Sequence, residues 1–155
     1  MELVQTASYL PTVLLAWGLL ALAHWRMFAK AGERGWKALI PLYSDYVLFK
    51  LVWSARSFWI YVISSAAFGI GFALSGQMVF DTEGTLYLVE ASSMFWAVIA
   101  YAGSIVWLIY TVLLAVRTSL AYGKSAVFGF GVLVAPHIFK LIIAFGKSAY
   151  RGTTA

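Results

Sequence analysis

His137 and Lys140 stand three residues apart inside the apolar run 126–146, AVFGFGVLVAPHIFKLIIAFG. That spacing puts both on one face of a helix. Ionisable groups are costly in hydrocarbon, so this face must look at protein, water or a partner. Two kinds of chemistry suit such a pair: exchange of a proton, or the holding of a small anion. The natural counter-ion is Asp45, which with Glu33 makes up the acids of 24–59, the stretch that holds most of the bases. An intramembrane cluster of Asp45, His137 and Lys140, with an Asp45–Lys140 pair at its centre, is therefore the sharpest expectation. The competing reading has Lys140 snorkelling to an interface, its stem in lipid and its ammonium in water.

Other chemistries find less support. His24 lies two residues before Arg26, near a water boundary, whereas His137 lies 13 residues beyond Lys124, roughly 20 Å along a helix. If 126–146 crosses the bilayer, the two histidines sit at different depths and cannot share a haem. Cysteine is absent, which excludes thiolate ligands, cysteine nucleophiles and disulfides. Two histidines without nearby carboxylates fall short of an ordinary metal ligand set. The FGFG stretch at 128–131 lacks the GKS or GKT ending and the strand-to-helix setting of a phosphate loop. A Ser–Lys peptidase would need a soluble catalytic fold, for which the sequence has no material. The expectation is a protein that is not an enzyme and needs neither metal nor cofactor.

The elements that must position these residues follow from hydropathy. The 155 residues are 63% hydrophobic and 11% charged, far from the roughly 25% charged residues of soluble domains. Long uninterrupted apolar runs indicate helices, which satisfy their own backbone in lipid. At about 20 residues per crossing, the pattern predicts an all-α polytopic membrane protein with about four transmembrane helices in one domain, 1–155. The spans are 7–27, 57–76, 91–116 and 126–146. The third is longer than a bilayer core requires and should tilt or project beyond it. Between the first and second spans, 36–53 predicts an interfacial or re-entrant helix, broken at Pro41, with Lys37, Ser44 and Asp45 on one side and Trp36, Leu39, Tyr43 and Val47 on the other. Glu2 precedes the first apolar run in place of a basic flank, so that run reads as a retained helix.

Six of the 11 Lys and Arg residues fall in 24–59. By the positive-inside rule this region faces the cytoplasm and the N-terminus lies outside. Arg26, Lys30, Arg34 and Lys37 then mark orientation or attract anionic lipid headgroups. The loop 77–90 carries Asp81, Glu83 and Glu90 without a base, as the outer side would. A net charge of +5 sorted by membrane side in this way is no sign of nucleic-acid binding. The last run stays open. Crossing leaves Lys147 and Arg151 outside, against the charge rule, whereas re-entry keeps them inside but needs a backbone bend at Pro136 that is shielded from lipid. Crossing is the preferred placement. Ser65, Ala66, Gly69, Ala73 and Gly76 recur as a small-residue packing face, and Gly129 and Gly131 should let helices approach closely.

Two stretches, WRMFAKAGERGWKALIPLYSDYVLFKLV (25–52) and LAYGKSAVFGFGVLVAPHIFKLIIAFGKSAY (120–150), carry K-A-G-x-x-G-W-x-A-x-I-P-x-Y and F-G-x-G-x-x-x-x-P patterns. They resemble a family of small uncharacterised prokaryotic integral membrane proteins, similar also to the membrane segment ahead of some Bacteroidetes signal peptidase I enzymes. The resemblance implies a membrane fold and attaches no activity to its pattern residues. Ser44-Asp45, His137 and Lys140 depart from that pattern. The reading that results is a non-catalytic accessory or scaffold subunit in contact with the bilayer and with a membrane-protein partner or a second copy. The alternative is a small transporter or channel for a proton or small anion, its polar path near Pro136, His137, Lys140 and Asp45.

Overall fold

The computed structural model describes residues 2–75, 78–80, 86–88 and 94–152, with side chains described over 11–75 and 94–152. The fold is that of an all-α polytopic membrane protein. Three helices are long and apolar enough to cross a bilayer: α1 (Glu2–Lys30, apolar over Pro11–Lys30), α3 (Ala55–Leu74) and α4 (Met94–Ala121). Between α1 and α3 lie a five-residue 3-10 helix, Gly35–Leu39, and α2 (Pro41–Val52). After α4 come α5 (Ala126–Val134) and α6 (Pro136–Phe145). The sequence reading takes 1–155 as one domain; within it the chain divides into two compact units, Met1–Ala55 with Val112–Ala155, and Arg56–Thr111.

In the second unit α3 and α4 pack through small residues, though not through the stripe expected. Ser64 and Gly71 are buried, whereas Ser65, Ala66, Gly69 and Ala73 are exposed. A Cβ on Gly71 would stand 2.7 Å from the Ala100 amide nitrogen, and one on Gly103 would stand 2.7 Å from that of Phe68. A Cβ on Gly69 would meet open space. The span holds small residues on both faces and no charge after Arg56 to tell them apart, so periodicity placed the seam one residue off. Gly76 lies outside the described residues, as do Asp81, Glu83 and Glu90. Within the stretch read as loop, β1 (Met78–Phe80) and β2 (Leu86–Leu88) pair antiparallel with Val79 opposite Tyr87.

The first unit holds the core, in which Met27, Phe28, Leu48, Val52, Tyr122 and Ile143 meet. Its plan is two hairpins against α1. Gly32, at φ 78°, ends α1, and the chain reverses so that Gly35 packs under the Trp25 ring. Pro41 then lines a cavity together with Trp17, Leu20, Ala21 and His24 of α1. Proline suits the first position of a helix, where no amide hydrogen is required, so α2 starts there and returns. Its Leu51 carbonyl accepts from Tyr150, whose ring packs on Tyr122, and Tyr122 in turn donates to the Met27 carbonyl. The segment 36–53 thus folds back along α1 as a hairpin. Its polar side faces inward, Ser44 being buried, while Leu42 on the opposite side is 71% exposed, the arrangement lipid favours.

The last apolar run does the same, and the crossing placement is corrected. It consists of two helices of nine and ten residues, about 14 and 15 Å long against a core of roughly 30 Å. The rings of Phe128 and Phe139 lie 4.9 Å apart, where a straight helix would separate them by about 16 Å. Gly131 makes room at the fold: a Cβ there would collide with the Phe139 ring. Beyond α6 the Arg151 amide donates to the Ala121 carbonyl at 2.7 Å, so the run comes back to the end of α4 from which it left. Pro136, first residue of α6, is the apex. Gly129 packs on the α4 backbone at Val116, as expected of it. α4 runs beyond the expected end at 116 to Ala121 and stops at Gly123, φ 70°; the Arg117 guanidinium lies over the Trp53 ring, 4.5 Å from its centroid.

Candidate functional site

Re-entry alters which polar groups meet. The Lys140 ammonium lies 3.0 Å from His24 Nε2, and His24 Nδ1 lies 2.8 Å from Ser44 Oγ. An ammonium can only donate, so Nε2 accepts, Nδ1 carries the hydrogen, and the ring donates to Ser44. His24 is 3% exposed and stacks on Phe28 with centroids 5.8 Å apart, which holds the imidazole in the plane both bonds need. Three elements, α1, α2 and α6, each contribute one member of the chain.

Beside it lies a half-open cavity of about 80 Å³, lined by Trp17, Leu20, Ala21, His24, Ala38, Pro41, Ser44 and Asp45. Asp45 lies within electrostatic reach of Lys140 but makes no ion pair with it; the ion pair among the described residues is Lys37–Glu33. The expected Asp45–Lys140 contact is thus replaced by Lys140–His24, with Asp45 one residue along α2 from Ser44 and among the residues lining the cavity. His137 stays outside the chain. It sits one turn before Lys140 on α6, and no hydrogen bond to it is found among the described residues. Both ring nitrogens of His24 are engaged, so neither is free to ligate a haem, and among the described residues no three His, Asp or Glu side chains gather.

The basic residues divide into two sets. Lys30 turns inward and its Nζ donates to the carbonyls of Ile143 and Gly146, both at 2.7 Å, and of Ser148 at 3.1 Å. A cation at a helix C-terminus satisfies carbonyls that have no partner within the helix and complements the helix dipole. This corrects the headgroup role for Lys30, which fastens α6 to α1. Lys37 is bonded to Glu33 four residues earlier; that hydrogen bond is the main cause holding the Glu33 carboxyl below its ordinary range and lifts the Lys37 ammonium above its own. The stabilisation from Glu33 is present above the pKa of an unfolded carboxyl and fades as pH falls through the depressed folded value. Arg26 and Arg34 are exposed, and Arg26 also lies over the Phe145 ring.

Sequence reasoning missed His24 and Ser44, and the reason is geometric. His24 precedes Lys30 by six residues, and Lys140 precedes Gly146 by six. Since Lys30 binds the Gly146 carbonyl, the two six-residue arms bring His24 and Lys140 to one depth. A histidine inside an otherwise apolar span was the available signal.

Residues 36–153 match a family of unknown function, DUF5684. Searches among curated proteins and among solved structures returned no match. The matched stretch carries Ser44, Asp45, Lys140 and both proline apices, and begins downstream of His24. It spans well over half of the sequence, and the chain therefore belongs to the DUF5684 family.

Proposed function

We propose that this protein is a small membrane transporter or channel that passes a proton or small anion through the pocket lined by α1, the 3-10 helix and α2, with Lys140 of α6 reaching it through His24. The observation that carries the reading is the hydrogen-bonded chain Lys140–His24–Ser44 beside a cavity that also holds Asp45. Fully apolar side chains would pack these helices at no desolvation cost. Ionisable groups kept within a membrane protein mark ion pathways and proton relays, and broken helices at membrane depth recur where they line a binding site. The bases at the end shared by Lys30, Lys124 and Arg151 support a cytoplasmic placement of that end and an outer N-terminus.

Purified protein in liposomes tests the reading through ion flux under an imposed gradient. Lys140→Leu keeps the volume and removes the ammonium; flux is expected to fall at least about tenfold, the effect of losing roughly 1.4 kcal/mol of barrier lowering. Unchanged flux in that variant, or none in the wild type, contradicts the proposal.

A non-catalytic accessory role is the second reading. The exposed Trp59, Phe72, Phe95 and Tyr101 of α3 and α4 support it as apolar contact surface. Recovery of one membrane protein in fixed stoichiometry from mild detergent favours this role.

A further inference from the structure

We propose that the species moved through this site is a proton, passed between Lys140 and the Asp45 cavity by way of His24 and Ser44. The inference rests on the transport reading and narrows it.

The direction of each hydrogen bond follows from the donors. Lys140 donates to Nε2, Nδ1–H donates to Ser44 Oγ, and the Ser44 hydroxyl hydrogen is left to point elsewhere. Ser44 and Asp45 line the same cavity. At about 80 Å³ that cavity has room for two or three waters at roughly 30 Å³ each. Asp45 in its wall repels an anion, and the one N–H of His24 that an anion could use is already given to Ser44. A proton needs no vacancy, because it moves by exchange of bonds along a line already formed.

One transfer breaks an Nζ–H bond of Lys140 and forms Nε2–H on His24. It breaks Nδ1–H and forms a new O–H on Ser44, whose original hydrogen passes to a cavity water or to the Asp45 carboxylate. One proton has moved, Lys140 is left as a neutral amine, and His24 is left neutral in its other tautomer. Rotation of the imidazole about Cβ–Cγ, with exchange of its N–H through cavity water, restores the first tautomer. Lys140 reloads from the side away from His24; a return transfer along the line would instead carry the proton back. The charged and titratable groups that face this line are Asp45 on α2 and Lys140, with His137 one turn away, on α6. On α1, Arg26 is held over Phe145 and Lys30 is bound to the α6 carbonyls.

The test uses full-length protein in liposomes under a potassium diffusion potential, with a pH dye and a chloride-sensitive dye enclosed. Wild-type protein is expected to move protons, and more slowly in D2O, without moving chloride. His24→Phe keeps the stacking on Phe28 and removes both ring nitrogens; Asp45→Asn keeps the shape of the cavity wall and removes its acceptor. Each is expected to cut proton flux at least about tenfold, and Asp45→Asn serves where His24→Phe fails to fold. Chloride flux without proton flux, or proton flux unchanged in both variants, overturns the proton assignment and leaves transport standing. Absence of any ion movement in wild-type protein overturns transport itself.

Discussion

Gly71→Leu is expected to destabilise the α3–α4 pair by about 3 kcal/mol or more, whereas Gly69→Leu two residues away should change stability by less than about 0.5 kcal/mol. Even the Cβ of the new side chain at 71 would stand 2.7 Å from the Ala100 nitrogen and 2.9 Å from the Trp96 carbonyl oxygen. Those are backbone atoms, which cannot swing aside as a side chain would. In lipid, helix association depends on close van der Waals contact, so forcing the backbones apart removes what joins them. Gly103→Leu should behave like Gly71→Leu, because its Cβ would meet the Phe68 nitrogen and the Ser64 carbonyl oxygen of α3. At Gly69 nothing lies within 4 Å of the added atom. Thermal unfolding of the three variants in one detergent measures the contrast. Equal losses at 69 and 71 would mean that the seam lies elsewhere.

Lys30→Met is the second large effect. Methionine fills the volume of the lysine stem and removes the ammonium that serves three carbonyls. Ile143 keeps a bond from the Ser148 hydroxyl, but Gly146 and Ser148 lose the charged donor. Hydrogen bonds to charged groups contribute roughly 1.5–3 kcal/mol each and add incompletely, so a loss of about 3 kcal/mol is expected. The damage should be local. Amide hydrogen exchange ought to quicken over 136–146 before it does in α1, since α6 loses the group that fastens its end. Uniform exchange at the wild-type rate would show that the hairpin is held by its apolar contacts alone.

Much of this architecture was legible. Length and hydropathy gave α1, α3 and α4, because a bilayer leaves a helix few alternatives. Pro41 and Pro136 announced the two breaks, since a ring without an amide hydrogen cannot continue a helix unbent. What was hidden is where the chain goes after a break. The local pattern at 126–146 fits two halves of one crossing as well as two arms of a hairpin, and the contacts that decide, Phe128 with Phe139 and Arg151 with Ala121, are tertiary. The site followed from that choice. With a crossing, His24 and Lys140 fall at separate depths and Asp45 becomes the obvious partner; with re-entry, His24 takes that place. Once the run returns, Arg151 lies at the same end of α4 as Gly123 and Ala121. The seam in α3 was missed for a different reason: small residues lie on both of its faces, and only the neighbouring backbone selects one.

The paired six-residue arms make α6 a ruler. Lys30 reads chiefly backbone oxygens at one end, while His24 reads a single side chain at the other. Inserting or deleting one residue between Lys140 and Gly146 would turn the ammonium by about 100° and shift it by about 1.5 Å, away from the imidazole. Helix length here is therefore under tighter constraint than helix composition.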